Sequence, residues 1–167
     1  ERPVHRVEVG GVELRAHGLK HLDGHDRVVG ARDVPVVAQL HARLVRQAVD
    51  IIKQGGVVVY PTDSAYALGC HIGDTSALDR IRRIRKRDDR HNFTLVCRDL
   101  SEIATYAKVN NAVYRLLRHT TPGPYTFILP ATKEVPRKLM HPRQKTVGVR
   151  IPDNAVVQAL VAELGEP

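Results

Sequence analysis

The sequence predicts an α/β domain. Short apolar runs, most of them closed by glycine or proline, alternate with stretches whose apolar residues recur every three to four positions. At 167 residues and 43% hydrophobic, the chain has material for one buried core. With aromatics at 4% and no tryptophan, that core must rest on Val, Ile, Leu and Ala.

Residues 1–39 differ in texture from the rest, being rich in His, Arg, Asp and Gly without helical periodicity. Within them, Val7-Glu8-Val9-Gly10-Gly11-Val12-Glu13-Leu14 alternates around a Gly-Gly pair. Such a pair suits the twisted two-residue turn of a β-hairpin. A lone hairpin is marginal in water, so a disordered leader is the competing reading. The regular domain is expected over 40–167. Leu40, Leu44, Val45, Ala48, Val49 and Ile52 recur at helical spacing, and Gly55-Gly56 supplies the stop. Val57 to Tyr60 reads as a strand ended by Pro61. Asp74 or Thr75 caps the next helix, whose buried stripe is Ala77, Leu78, Ile81 and Ile84. Phe93 to Cys97 reads as a strand, Ser101 as the cap of a short helix, and Val113, Leu116 and Leu117 as the apolar face of the helix after it. Pro122-Gly123-Pro124 turns the chain into a strand over Tyr125 to Leu129. Thr146 to Ile151 forms another, bounded by Pro152. The last helix buries Val156, Val157, Leu160, Val161 and Leu164 and stops at Gly165.

Twenty-six Lys and Arg against 18 Asp and Glu give a formal charge of +8, which favours polyanionic partners: nucleotides, RNA or an anionic surface. Cys70 and Cys97 lie far apart and form no C-x-x-C pair, as expected for reduced thiols in a cytoplasmic protein. The histidines show no metal-ligand spacing, so no metal site is assigned to side chains. Uncharged stretches run to only about ten residues, too short to cross a bilayer. The P-loop and G-x-G-x-x-G patterns of phosphate binding are both missing. So is the aromatic pattern of base-stacking RNA modules.

The strongest local charge lies at residues 80–90. Arg80, Arg82, Arg83, Arg85, Lys86, Arg87 and Arg90 face only Asp88 and Asp89. With Leu78, Ile81 and Ile84 turned inward, the cations must take the sides and outer face. Like charges this close repel, which costs helix stability unless an anion offsets it. Two readings stand: a solvated helix face, or a polyphosphate or RNA site whose guanidinium forks match phosphate oxygens. On the second, Arg82, Arg83, Lys86 and Arg90 are the RNA-contacting candidates.

Pro61-Thr62-Asp63-Ser64-Ala65-Tyr66-Ala67-Leu68-Gly69 resembles the P-T-E-T-V-Y-G-L-G signature of the YrdC-like family, the threonylcarbamoyl-AMP synthases. Three further blocks agree in order and spacing: Arg85-Lys86-Arg87 with K-x-R, Pro122 to Phe127 with P-G-P-x-T-F, and Thr146 to Pro152 with T-V-A-V-R-x-P. His91-Asn92-Phe93-Thr94-Leu95 and the Y-A-L-G-C ending at Cys70 are most similar to the YciO branch. The resemblance spans residues 40–167.

It implies a twisted mixed sheet with flanking helices around a concave, positively charged cleft. It also implies a nucleotidyltransferase joining L-threonine, bicarbonate and ATP, usually with Mg²⁺, into threonylcarbamoyl-AMP and pyrophosphate. Partner proteins then pass the threonylcarbamoyl group to an adenosine of tRNA. In that chemistry the threonine amine captures CO₂ and the carbamate oxygen attacks the α-phosphorus of ATP. The protein's share is positioning and charge stabilisation. By position, Arg85 and Arg87 would stabilise phosphate charge, and Arg87, Asn92 and Thr146 would hold ATP. Ser64, Cys97 and Arg150 would surround the threonine, with Arg150 gripping its carboxylate. Each charge-assisted bond of this kind is worth roughly 1.5–3 kcal/mol. The residues also admit plainer roles: Ser64 and Thr146 as strand-end caps, Arg150 in a structural ion pair, Arg85 and Arg87 on a solvated face, Asn92 in a turn. A non-catalytic module that binds double-stranded RNA or tRNA is the alternative function.

Departures from the family pattern are specific. Arg85 replaces a lysine, Asp88 a proline and Cys97 a histidine, and the loop from Arg87 to Phe93 is one residue longer. The chain ends at Gly165-Glu166-Pro167, just ahead of the strand that carries the family's S-x-N motif. The resemblance therefore implies that the final sheet strands lie outside this sequence.

Overall fold

A computed structural model describes residues 5–9, 12–16, 34–86 and 92–167, with side chains described from His41 onward. Among the described residues, two sheets and five helices make up the fold. The larger sheet has the order β1-β2-β6-β7-β5, formed by His5–Val9, Val12–Ala16, Tyr125–Pro130, Thr146–Arg150 and Thr94–Val96. Its neighbours are antiparallel except β5 and β7, so the sheet is mixed. The smaller sheet is the antiparallel hairpin β3 (Val58–Pro61) and β4 (Tyr66–Gly69).

The alternating segment near the start is a hairpin, with Val9 opposite Val12, and it hydrogen-bonds onto β6. The Gly10-Gly11 turn itself lies outside the described residues. Helix α1 runs Val34–Lys53, starting ahead of the expected Leu40. Pro35 suits a first helical turn, where its missing N–H has no partner to lose. The helix gives way at Gly55, whose φ of +79° is the left-handed conformation that glycine adopts without a Cβ clash.

Three expectations are corrected. Residues 66–69 form a strand that the sequence reading left inside its motif. Asp99, not Ser101, caps α3 (Leu100–Tyr106), its Oδ1 accepting the Glu102 N–H at 2.9 Å. Ile84 is 56% exposed rather than buried. It sits in the last turn of α2 (Thr75–Arg85), where Lys86 turns left-handed at φ 50° and the helix leaves the core. Asp74 caps that helix through the Ala77 N–H, as one of the two expected candidates.

The main core joins Leu78 of α2, Leu95 of β5, Ile103 of α3, and Val113 and Leu117 of α4 (Asn111–Thr120) to Phe127, Leu129, Val147 and Val149 of the sheet. A second core packs Val49 and Ile52 of α1 against Leu160 and Leu164 of α5 (Ala155–Leu164), with Val58 and Tyr60 of β3 beside them. The second core fixes β3 against α1 and α5, and the Asp63–Arg150 pair joins the turn after β3 to the end of β7.

Candidate functional site

The turn after β3 is built on Thr62. Its Oγ1 donates to the Ala65 carbonyl at 2.6 Å and accepts the backbone N–H groups of Ser64 and Ala65. Thr62 therefore satisfies the strand end, which frees Ser64 from that task. The Ser64 hydroxyl lies 3.2 Å from Thr62 Oγ1 and 3.0 Å from Nη2 of Arg150. Ser64 Oγ thus accepts from the Arg150 guanidinium and lies in hydroxyl–hydroxyl contact with Thr62.

Arg150 ends β7 and is buried. Its Nη2 also donates to Asp63 Oδ1, closing an ion pair whose side chains are 10% and 12% exposed. Asp63 Oδ2 accepts the Asp153 N–H at 2.9 Å, which ties the β3–β4 turn to the loop before α5. The Arg150 Nε is buried without an acceptor. The Arg150 carbonyl accepts the Cys97 backbone N–H at 2.8 Å, while the Cys97 side chain packs in the main core with Leu95 and Val149. Burial, with help from Glu102 and Asp99, pushes the Cys97 thiol well up. Burial likewise raises the Tyr60 phenol to about 12, partly opposed by the positive charge of Arg150. Both groups therefore remain neutral at physiological pH.

Of the predicted site residues, Ser64 and Arg150 come together here, whereas Cys97 meets Arg150 only through its backbone N–H and points its side chain into the main core. Thr146 does not join them: it opens β7 while Arg150 closes it, roughly 13 Å away along the strand. Arg85 and Asn92 are exposed on either side of the α2–β5 connection. Arg87 and Arg90 lie outside the described residues. Arg83 and Lys86 are exposed. Arg82 turns inward, against the periodicity-based expectation. It pairs with Asp79 at 2.6 Å and stacks over Phe93 at 5.1 Å from the ring centroid. Asp63 went unnamed in the sequence reading, although its place opposite the family's glutamate marked it as a carboxylate that the motif retains.

A mostly apolar cavity opens between β5 and the β3–β4 hairpin, lined by Tyr60, Leu68, Cys70, Phe93, Thr94 and Leu160 among others. None of the described predicted site residues lines it. Among the described residues, no three His, Cys, Asp or Glu side chains are grouped to hold a metal ion. Asp63, the carboxylate nearest the cluster's centre, is already committed to Arg150 and Asp153. No helix of the described residues is long and apolar enough to cross a membrane.

The sequence and the fold are both similar to those of known proteins. Residues 50–167 match the Sua5/YciO/YrdC family model, described as telomere recombination. The uncharacterized protein YciO of Escherichia coli is 59% identical over 125 residues, which are 75% of this chain and 61% of that protein. Its crystal structure superposes with a TM-score of 0.72. A threonylcarbamoyl-AMP synthase of Vibrio vulnificus is 34% identical over 125 residues, 73% of this chain and 67% of the enzyme. The P. abyssi Sua5 complexed with L-threonine has a TM-score of 0.70 at 27% identity, covering 75% of this chain and 37% of that one. The chain thus spans about three-fifths of the YciO relative it matches.

Proposed function

The chain belongs to the Sua5/YciO/YrdC family, and on that premise we propose that it contributes the amino-acid and phosphate subsites of a threonylcarbamoyl-AMP synthase. The reaction consumes L-threonine, bicarbonate and ATP and yields threonylcarbamoyl-AMP, pyrophosphate and water. The observation that carries the reading is the cluster at the end of β7. There a buried Arg150, with Ser64 3.0 Å from its Nη2 and Cys97 bonded to its carbonyl, offers cationic donors at a strand end. A guanidinium in that setting suits a carboxylate ligand.

In this reading Arg150 holds the threonine carboxylate and Ser64 lies beside the amino acid. Arg85, Arg87, Asn92 and Thr146 hold the triphosphate and stabilise charge on the departing pyrophosphate. Mg²⁺ would travel with the phosphates rather than sit in a cage of protein side chains, and no step here depends on it. A protein with two free thiols supplying a tRNA-modification pathway belongs in the reducing cytoplasm, with tRNA-modifying partner proteins downstream.

Pyrophosphate release from ATP, measured with and without threonine and bicarbonate, tests the proposal, with mass spectrometry for the adenylate. Release that depends on both co-substrates supports the synthase reading. Release that ignores them sinks it. A second reading has its own observation: Arg83, Arg85 and Lys86 are exposed together at the end of α2 on a chain of formal charge +8. That surface suits the phosphate backbone of double-stranded RNA or tRNA, without catalysis.

A further inference from the structure

The connection between β6 and β7 is far longer than its ends require. Pro130 and Thr146 are paired on adjacent antiparallel strands, and such strands are commonly joined by about two to five residues. Here residues 131–145 intervene, with no helix or strand of their own. Ordered loops of about this length are uncommon and are usually functional. The connection is also held from within. Val135 and Leu139 are buried in the main core. The His141 N–H donates to the Thr146 carbonyl at 2.8 Å, the Lys145 N–H to the His141 carbonyl at 3.0 Å, and the Ala131 N–H to the Lys145 carbonyl at 2.9 Å.

Its outer side is cationic. Lys133, Arg137, Lys138, Arg143 and Lys145 are exposed, and exposed Lys108 adjoins them where its backbone N–H meets the Pro130 carbonyl at 2.8 Å. None of the six forms an ion pair among the described residues, and Glu134 is the one acid within the connection. Cations fixed this way repel one another and favour a partner that carries many negative charges. The connection exposes no large apolar or aromatic side chain. A protein partner would need an apolar centre, and single-stranded bases would need an aromatic platform. A duplex backbone needs neither.

We propose that the β6–β7 connection is a docking surface for the phosphate backbone of a double-stranded nucleic acid. The inference rests on the nucleic-acid reading offered above as the second function. It gives that reading a surface at the opposite end of β7 from Arg150, sharing no residue with the end of α2. Contact there is blind to base sequence, because only phosphates are gripped.

Fluorescence anisotropy of duplex RNA and of duplex DNA of equal length, each across a salt series, tests this on the whole chain. Arg137→Gln with Arg143→Gln should lower the salt slope by about 1.8, the loss of two phosphate contacts. Arg137→Lys with Arg143→Lys keeps both charges and should keep the slope. Arg115→Gln with Arg118→Gln removes the same charge from exposed positions on α4 and should also keep it. The RNA and DNA arms show which duplex supplies the backbone, and a slope lowered in either supports the surface. A slope lowered equally by the α4 pair assigns the effect to net charge and overturns the inference. A wild type that binds a duplex with a slope indifferent to Arg137 and Arg143 also overturns it, while the nucleic-acid reading survives at the end of α2. A wild type that binds neither duplex removes both. Vesicles rich in phosphatidylglycerol supply the last comparison. If the glutamine pair loses vesicle binding while its duplex slope stays unchanged, the surface is a membrane contact and the inference falls.

Discussion

At the scale of single residues, the informative feature is how few bonds each polar group has left to offer. Ser64 is the best probe of the cluster, because Arg150 keeps Asp63 when the serine is lost. Ser64→Ala should weaken threonine binding about tenfold, the cost of one hydrogen bond next to a charge, while changing stability by less than about 1.5 kcal/mol. Isothermal titration and thermal denaturation separate the two effects. Arg150→Gln is a poorer probe. It strands the buried Asp63 carboxylate, and breaking such a pair typically costs about 3–5 kcal/mol. The thiols give a second test. Burial, with the nearby Asp74 charge, pushes Cys70 up to about 11. Its thiolate fraction near pH 8 is then lower than that of an ordinary thiol by about a hundredfold, and alkylation should be slowed to match. Iodoacetamide labelling at the rate of an ordinary exposed thiol sinks that expectation. The same shift makes stability depend on alkaline pH. Cys70 and Tyr60 take up protons more tightly folded than unfolded, so their contribution is full below about pH 9 and is lost as pH rises through about 11 to 12.

At the scale of elements, the strands and helices were legible where pattern and packing agree. Phe127 stands within a five-residue run closed by Pro124 and Pro130, and it is fully buried between helix and sheet. Phe127→Ala should cost about 3–5 kcal/mol, read by urea denaturation. Asn154 caps α5 through the Val156 and Val157 N–H groups, and Asn154→Ala should cost about 1 kcal/mol. What the sequence hid has physical causes. Ile84 keeps the helical period of Ala77 and Ile81, yet the core ends before it does, because Lys86 breaks the helix two residues later. Arg82 looked solvated by spacing alone. Its inward turn depends on Phe93, which arrives from a different element. β4 was obscured because its four residues lie inside a motif, and its pairing with β3 needs the close approach permitted at Gly69. A Cβ there would meet the Tyr60 ring at 2.5 Å. The trio Ser64, Cys97 and Arg150 was reached through motif resemblance. Asp63 could be assigned only once the turn after β3 was seen against the end of β7.

At the scale of the whole molecule, the formal charge of +8 must act somewhere, and the end of α2 is where helix geometry concentrates it. Arg82 is spent on Asp79 and Phe93, which leaves Arg83, Arg85 and Lys86 as the exposed cations there among the described residues. Lys86 is held left-handed, and its backbone N–H is tied to the carbonyls of Arg82 and Arg83, so its side chain projects from a fixed point. If that surface tracks a phosphate backbone, affinity for double-stranded RNA should fall with salt by roughly 0.9 log units of binding constant per log unit of salt for each phosphate neutralised. Arg83→Gln with Lys86→Gln should then flatten the slope by about 1.8 while leaving threonine binding at Ser64 and Arg150 unchanged, because the two regions share no residue. Fluorescence anisotropy across a salt series measures the slope. A slope that the double substitution does not alter assigns these cations to a solvated face. A slope that flattens together with lost ATP affinity, read in the same series, would mean that nucleotide and RNA compete for one surface.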